Sequence, residues 1–133
     1  MREVVCALLI LLPGAAAAQP DIVQLSGLLT LQSFYGPPNY GEEPETDSVE
    51  IVPILELDQP TDLSVMSDAR DGNRSTRTYS DVTRIELAAP IDLHISGFLG
   101  HKLIVEGVLF SAFTGHHHTD VLMDVQKIVS DQQ

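Results

Sequence analysis

The chain has 133 residues, a formal net charge of -12 and a single cysteine, Cys6. That charge repels a phosphate backbone or an anionic membrane surface, so nucleic-acid binding is excluded and a cation or a basic protein is favoured. Once a leader containing Cys6 is removed no disulfide can form, so stability must come from packing.

The first twenty residues, MREVVCALLILLPGAAAAQP, read as an export signal. Arg2 precedes an apolar run from Val4 to Leu12. Pro13, Gly14 and a run of alanines follow, with Ala16 and Ala18 fitting the small-x-small pattern of a signal-peptidase site. The run is too short to span a bilayer as a helix. Residues 1–18 are therefore expected to be cleaved, leaving residues 19–133 as one small β domain. It would be exported to a bacterial periplasm or the cell exterior, with no stable membrane insertion.

Strict alternation then dominates. Val23, Leu25, Gly27, Leu29 and Leu31 share one face of a strand, with Gln24, Ser26, Thr30 and Gln32 between them. Gly27 marks a bulge or tight bend. The stretch FYGPPNYGEEPETD, Phe34 to Asp47, holds three prolines and two glycines and reads as a long loop. Pro38 and Asn39 fit the centre of a tight turn, with Asn39 tolerating the left-handed region. Glu42, Glu43, Glu45, Asp47 and Glu50 lack the spacing of a calcium-binding EF-hand loop and read as a solvated acidic series.

Val49 to Asp58 reads as a second strand, with Pro53 at an edge or bulge. Asp68 to Thr76 is a turn-rich loop containing the glycosylation-like triplet Asn73-Arg74-Ser75. Thr78 to Leu87 is a third strand. Pro90 to Gly100 fits either an alternating strand through Ile91, Leu93 and Ile95 or a short helical turn. Lys102 to Phe110 is a fourth strand, and Val121, Met123 and Val125 mark a fifth. Ser130 to Gln133 are expected to fray.

Five strands, glycines inside two of them and no covering helix predict an all-β fold. A small five-stranded OB-like barrel is favoured, with a small antiparallel β-sandwich as the alternative.

Three histidines stand together in TGHHHT, Thr114 to Thr119. On an extended stretch His116 and His118 point one way and His117 the other. His116 and His118 are thus the candidate metal ligands, for zinc or copper. His94, His101 and the acidic loop would contribute only if the fold brings them near. The competing reading is a polar hairpin turn in which Thr114 or Thr119 ties the backbone. No nucleophile elbow, H-E-x-x-H pair or phosphate-cradling glycine loop is present in the sequence, so an enzyme is not expected.

FYGPPNYGEE, Phe34 to Glu43, and LFSAFTGHHHTDVLM, Leu109 to Met123, resemble the bacterial family known as domain of unknown function 4431. The resemblance implies an exported domain and no particular activity. The chain departs from the family pattern at four positions. Asn39 stands where the family tends to have glycine, Ser111 and Phe113 where it has further histidines, and Asp120 where it has proline.

The leading expectation is a binding module acting through one face. That face comprises Tyr35, Tyr40, Glu42 and Glu43 of the long loop with Thr114, His116, His117, His118 and Thr119 of the histidine turn. The alternatives are a periplasmic zinc or copper protein and an acidic inhibitor of a cationic enzyme.

Overall fold

The computed structural model describes residues 21–68 and 74–132. The expected leader and Asn73 of the glycosylation-like triplet lie outside them. Five strands are described: β1 (Ile22–Tyr35), β2 (Val49–Asp68), β3 (Arg74–Ala88), β4 (Lys102–Ser111) and β5 (Val121–Gln132). They close into a barrel in the order β1-β2-β3-β5-β4. Every neighbouring pair is antiparallel except β3 with β5, which run parallel over Glu86–Ala88. The closed ring favours the OB-like barrel over the sandwich.

β1 makes closure possible because it is shared. Its first half, Ile22 to Leu28, pairs with β4, and its second half, Gly27 to Tyr35, pairs with β2. Gly27 sits where the partners change. A Cβ there would run into the carbonyl oxygen of Glu56, so the bend requires a residue without a side chain. Gly107 meets the backbone of Asp124 in the same way, beside a register shift between β4 and β5.

The alternating positions converge inside. Leu29, Leu55, Ile85, Leu103, Val105, Met123 and Val125 are all at or below 1% exposure and form one cluster. Two 3-10 turns, Ile91–Leu93 and Ile95–Phe98, connect β3 to β4. The helical-turn reading of this segment therefore holds over the strand reading. Leu93, Ile95 and Phe98 pack against the core, while Ile91 is 95% exposed.

Three boundaries differ from expectation. β2 continues past Asp58 to Asp68, because register shifts between Glu56 and Leu63 absorb Gln59 and Pro60 without ending the strand. β3 starts at Arg74 rather than Thr78, since residues 74–78 pair with the extended part of β2. β5 continues past Ser130 to Gln132, paired with Lys102 to Ile104 of β4, and Gln133 lies outside the described residues. Pro53 lies just before Ile54, where pairing with β3 begins, so its missing N–H falls at the end of that ladder.

A second buried layer lies on the opposite face of the sheet. Ile54, Glu86 and Leu122 occupy paired positions on β2, β3 and β5, one residue out of phase with Leu55, Ile85 and Met123. They are 0%, 8% and 1% exposed. The loop carrying the histidines bonds directly to this layer through Glu86.

Candidate functional site

Two loops meet at the site. The first, residues 36–48, joins β1 to β2; the second, residues 112–120, joins β4 to β5.

In the first loop the left-handed residues are Tyr40 (φ 52°) and Gly41 (φ 100°), not Asn39. Asp47 explains the shift. Its carboxylate accepts the N–H groups of Asn39 at 2.8 Å and Gly41 at 2.7 Å, pulling the turn one residue along. Burial acts to raise the Asp47 pKa, but the backbone donors of Gly41, Asn39 and Glu43 outweigh it and hold it below the usual 3.8. Asp47 is thus a structural member of the acidic series rather than a purely solvated one.

The histidine loop is tied down by Thr119. Its hydroxyl accepts the Glu86 N–H at 2.9 Å and donates to the Val121 carbonyl at 2.7 Å. The Glu86 carboxylate in turn accepts the His118 N–H at 2.8 Å. Thr119→Val keeps the shape and removes both bonds, leaving a buried donor and acceptor unmatched. It should cost about 1–3 kcal/mol, read as a lowered denaturant midpoint at unchanged slope.

The three imidazoles divide, but through a turn closed by the His117 N–H on the Thr114 carbonyl at 3.1 Å and not through an extended stretch. His116 Nδ1 and His118 Nε2 both bond to one carboxylate, that of Glu50 at the start of β2; the His118 distance is 2.7 Å. His117 turns away, accepts the Phe113 N–H at 3.2 Å and packs edge-on against Phe113 and Phe110. A carboxylate only accepts, so the nitrogens facing Glu50 carry the protons. His118 has an 8% exposed side chain and stacks on Phe34 with centroids 4.5 Å apart, whereas the His116 side chain is 60% exposed.

Tyr40 completes the junction. Its ring lies edge-on to His116 at 5.9 Å and presses on Gly115, where a Cβ would sit 2.7 Å from the ring. The structure therefore brings together Tyr40, His116 and His118, with Thr119 tying their loop to Glu86, while Thr114 serves its own loop by accepting the His117 N–H. Tyr35 is 48% exposed and lies against Gly41. Glu42 is exposed, and Glu43 serves its own loop by bonding Thr46. His94 and His101 are engaged elsewhere, with the Asp92 carbonyl and the Phe98 ring respectively.

Glu50, Phe34 and Glu86 belong to this constellation although sequence reasoning does not single them out. Phe113, which in sequence is only a departure from a pattern, is 77% exposed beside the histidines. Ser111, the other departure, accepts the Tyr79 hydroxyl at 2.8 Å. Among the described residues, no group of three or more His, Cys, Asp or Glu side chains is arranged to hold a metal ion.

Hydrogen bonds from His118, then His116, outweigh desolvation and keep the Glu50 carboxyl below its ordinary 4.5. Glu50 and Asp47 are thus depressed in the folded state. Their contribution is fully present above the unfolded values and is lost as pH falls through the lower folded values. Each loop should therefore loosen only in acid, below the ordinary range of its own carboxylate, visible as loss of its amide signals while β-sheet signals persist. Loop signals lost at or above that ordinary range would contradict these roles for Asp47 and Glu50.

The family model described as Domain of unknown function (DUF4431) matches residues 84–129. The match takes in LFSAFTGHHHTDVLM but not FYGPPNYGEE, so it covers less of the chain than the resemblance implied. No curated protein and no solved structure matches the chain.

Proposed function

We propose, from the premise that residues 84–129 match the DUF4431 family, that this domain is an exported binding module whose contact surface is the junction of its two loops. The observation that carries the reading is Glu50. One carboxylate from β2 holds two imidazoles of the other loop, and Tyr40 lies edge-on to one of them, His116. Exposed Tyr40 and His116 stand edge to face on one side of the histidine loop, and exposed Phe113 packs with His117 on the other, so the loop offers the aromatic and polar residue mix that anchors protein contacts. Export rests on the leader-like first eighteen residues.

A photoreactive residue placed at position 40 or 113 in producing cells tests this. Discrete adducts are expected from both positions and not from position 91, whose side chain is at least as accessible. Gly115→Ala should abolish those from position 113, where Tyr40 is retained, because its methyl group displaces the Tyr40 ring at little cost in stability. Equal labelling at position 91, or position-113 adducts unaffected by Gly115→Ala, would overturn the reading.

Zinc or copper binding is the second reading, favoured by the convergence of His116 and His118 on one carboxylate. A metal ion there must displace two N–H protons and move Glu50. Titration calorimetry on tag-free protein should then show site-specific heat that vanishes in His116→Ala/His118→Ala. Heat that persists in the double variant would remove this reading.

A further inference from the structure

β1 and β2 run on together past their other partners. The ladder of β1 with β4 ends at Leu28, and the ladder of β2 with β3 begins at Ile54. From Leu31 to Tyr35 and from Val49 to Pro53, the two strands form a ribbon paired only with each other among the described residues.

Alternation carries the barrel's inner face outward along this ribbon. Leu29 and Leu55 stand opposite each other in the core at 0% exposure. The next pairs on that face are Leu31 with Pro53, Ser33 with Ile51, and Tyr35 with Val49. Leu31 is 51% exposed, Tyr35 48%, and Val49 and Ile51 63% each. The other face of the ribbon, with Phe34 and Glu50, holds the histidine loop. The apolar pattern thus continues beyond the point where the core covers it. Apolar side chains on paired strands form one patch rather than scattered exposed residues, and such a patch marks a contact surface.

The surrounding charge selects the occupant. The sequence from Ile22 to Asp68 holds nine Asp and Glu residues and no Lys, Arg or His. Glu42, Glu43 and Glu45, in the loop that ends the ribbon, are exposed. Arg84 reaches this part of β1 from the other face, where it donates to Gln32 at 2.8 Å and lies over the Phe34 ring. A second copy of the chain would bring two such acidic loops, and two net charges of -12, together. Apolar side chains with cations beside them would meet attraction instead.

We infer that this face docks an apolar segment of another protein that carries lysine or arginine at its end beside the first loop. Its apolar side chains cover Leu31, Tyr35, Val49 and Ile51, which supplies the affinity. Its cations lie along Glu42, Glu43 and Glu45, which fixes the direction in which it lies and excludes acidic competitors. The surface is on the far side of β1 and β2 from Phe34, Glu50 and the histidines, so it stands apart from the loop-junction reading and does not depend on it.

The test titrates three short peptides into the mature protein and follows side-chain methyl signals by NMR. One has leucines followed by lysines, the second leucines followed by glutamates, and the third serines followed by lysines. The leucine–lysine peptide is expected to bind, shifting the methyl signals of Leu31, Val49 and Ile51. The signal of Ile91, 95% exposed and outside the ribbon, should stay in place. Each of the other two peptides should bind at least about tenfold more weakly, a comparison that needs no change to the protein. Leu31→Thr/Ile51→Thr should weaken the leucine–lysine peptide by a similar factor, and threonine suits an exposed strand, so the fold is kept. Glu42→Gln/Glu43→Gln/Glu45→Gln should weaken it at low salt and matter less at high salt. Equal binding of the glutamate or the serine peptide, or indifference to the threonine pair, would overturn the inference. So would a concentration-dependent dimer that the threonine pair disperses, since the occupant would then be a second copy.

Discussion

Gly107→Ala and Gly27→Ala should each destabilise the barrel by about 1–3 kcal/mol, toward the upper end of what an extra buried methyl group costs. In both cases the added Cβ points into backbone, the carbonyl of Asp124 for Gly107 and that of Glu56 for Gly27. A side chain can rotate aside; a carbonyl inside a strand pair can move only if the strands separate. Both glycines also stand where the barrel changes pairing, so separation there works against closure. Gly97 is the internal control, since a methyl group added there would meet nothing within 4 Å and the backbone has no left-handed φ. Gly97→Ala should leave stability within about 0.5 kcal/mol. Chemical denaturation of the three variants checks the ranking. A Gly107→Ala variant as stable as Gly97→Ala would contradict the close approach of β4 and β5.

Glu50→Gln carries the second large effect, on order rather than on global stability. A carboxylate offers acceptor oxygens to both His116 and His118. Glutamine offers one oxygen and an amide group that donates, so one imidazole keeps a bond only by switching to the tautomer that accepts, and both lose the carboxylate's charge. His118 keeps its backbone bond to Glu86 and its stack on Phe34, so it should stay. His116, exposed and held by fewer contacts, should be released together with Tyr40. Amide exchange within residues 114–117 is expected to speed up about tenfold, while Val121 to Val125 remain protected. Unchanged exchange in the loop would show that Glu50 does not order it.

Much of the barrel can be read from alternation. β1 and β4 carry it in their plainest form, and their internal glycines mark the places where strands approach closely. His117 parts from His116 and His118 for a different reason, the turn that its own N–H closes on Thr114. The extension of β2 is hidden because Gln59 and Pro60 look like a turn, while the strand passes through them with shifted register. The hairpin partner rescues that stretch, and a partner's position is not a local property of sequence.

Glu50 is hidden for a related reason. In sequence it ends a run of acids and reads as one more solvated charge. Its role arises from a contact spanning sixty-six residues of chain. Glu86 is similar: a lone acid in an apolar strand, RIELA, buried because the neighbouring loop folds onto its face. An isolated carboxylate inside an otherwise apolar strand is the available signal for Glu86, whereas Glu50, closing an acidic series, carries none. Tyr35 and the exposed Glu42 illustrate the converse, since membership in a motif does not bring either to the histidines.

Whether the two loops form one surface is read most plainly from the amide spectrum of His116→Ala beside that of the unsubstituted protein. Shift changes are expected in both loops, at residues 39–43 as well as 112–118, because Tyr40 and Glu50 rest on that imidazole. Changes confined to residues 112–120 would mean that the loops are independent neighbours and that no joint surface exists.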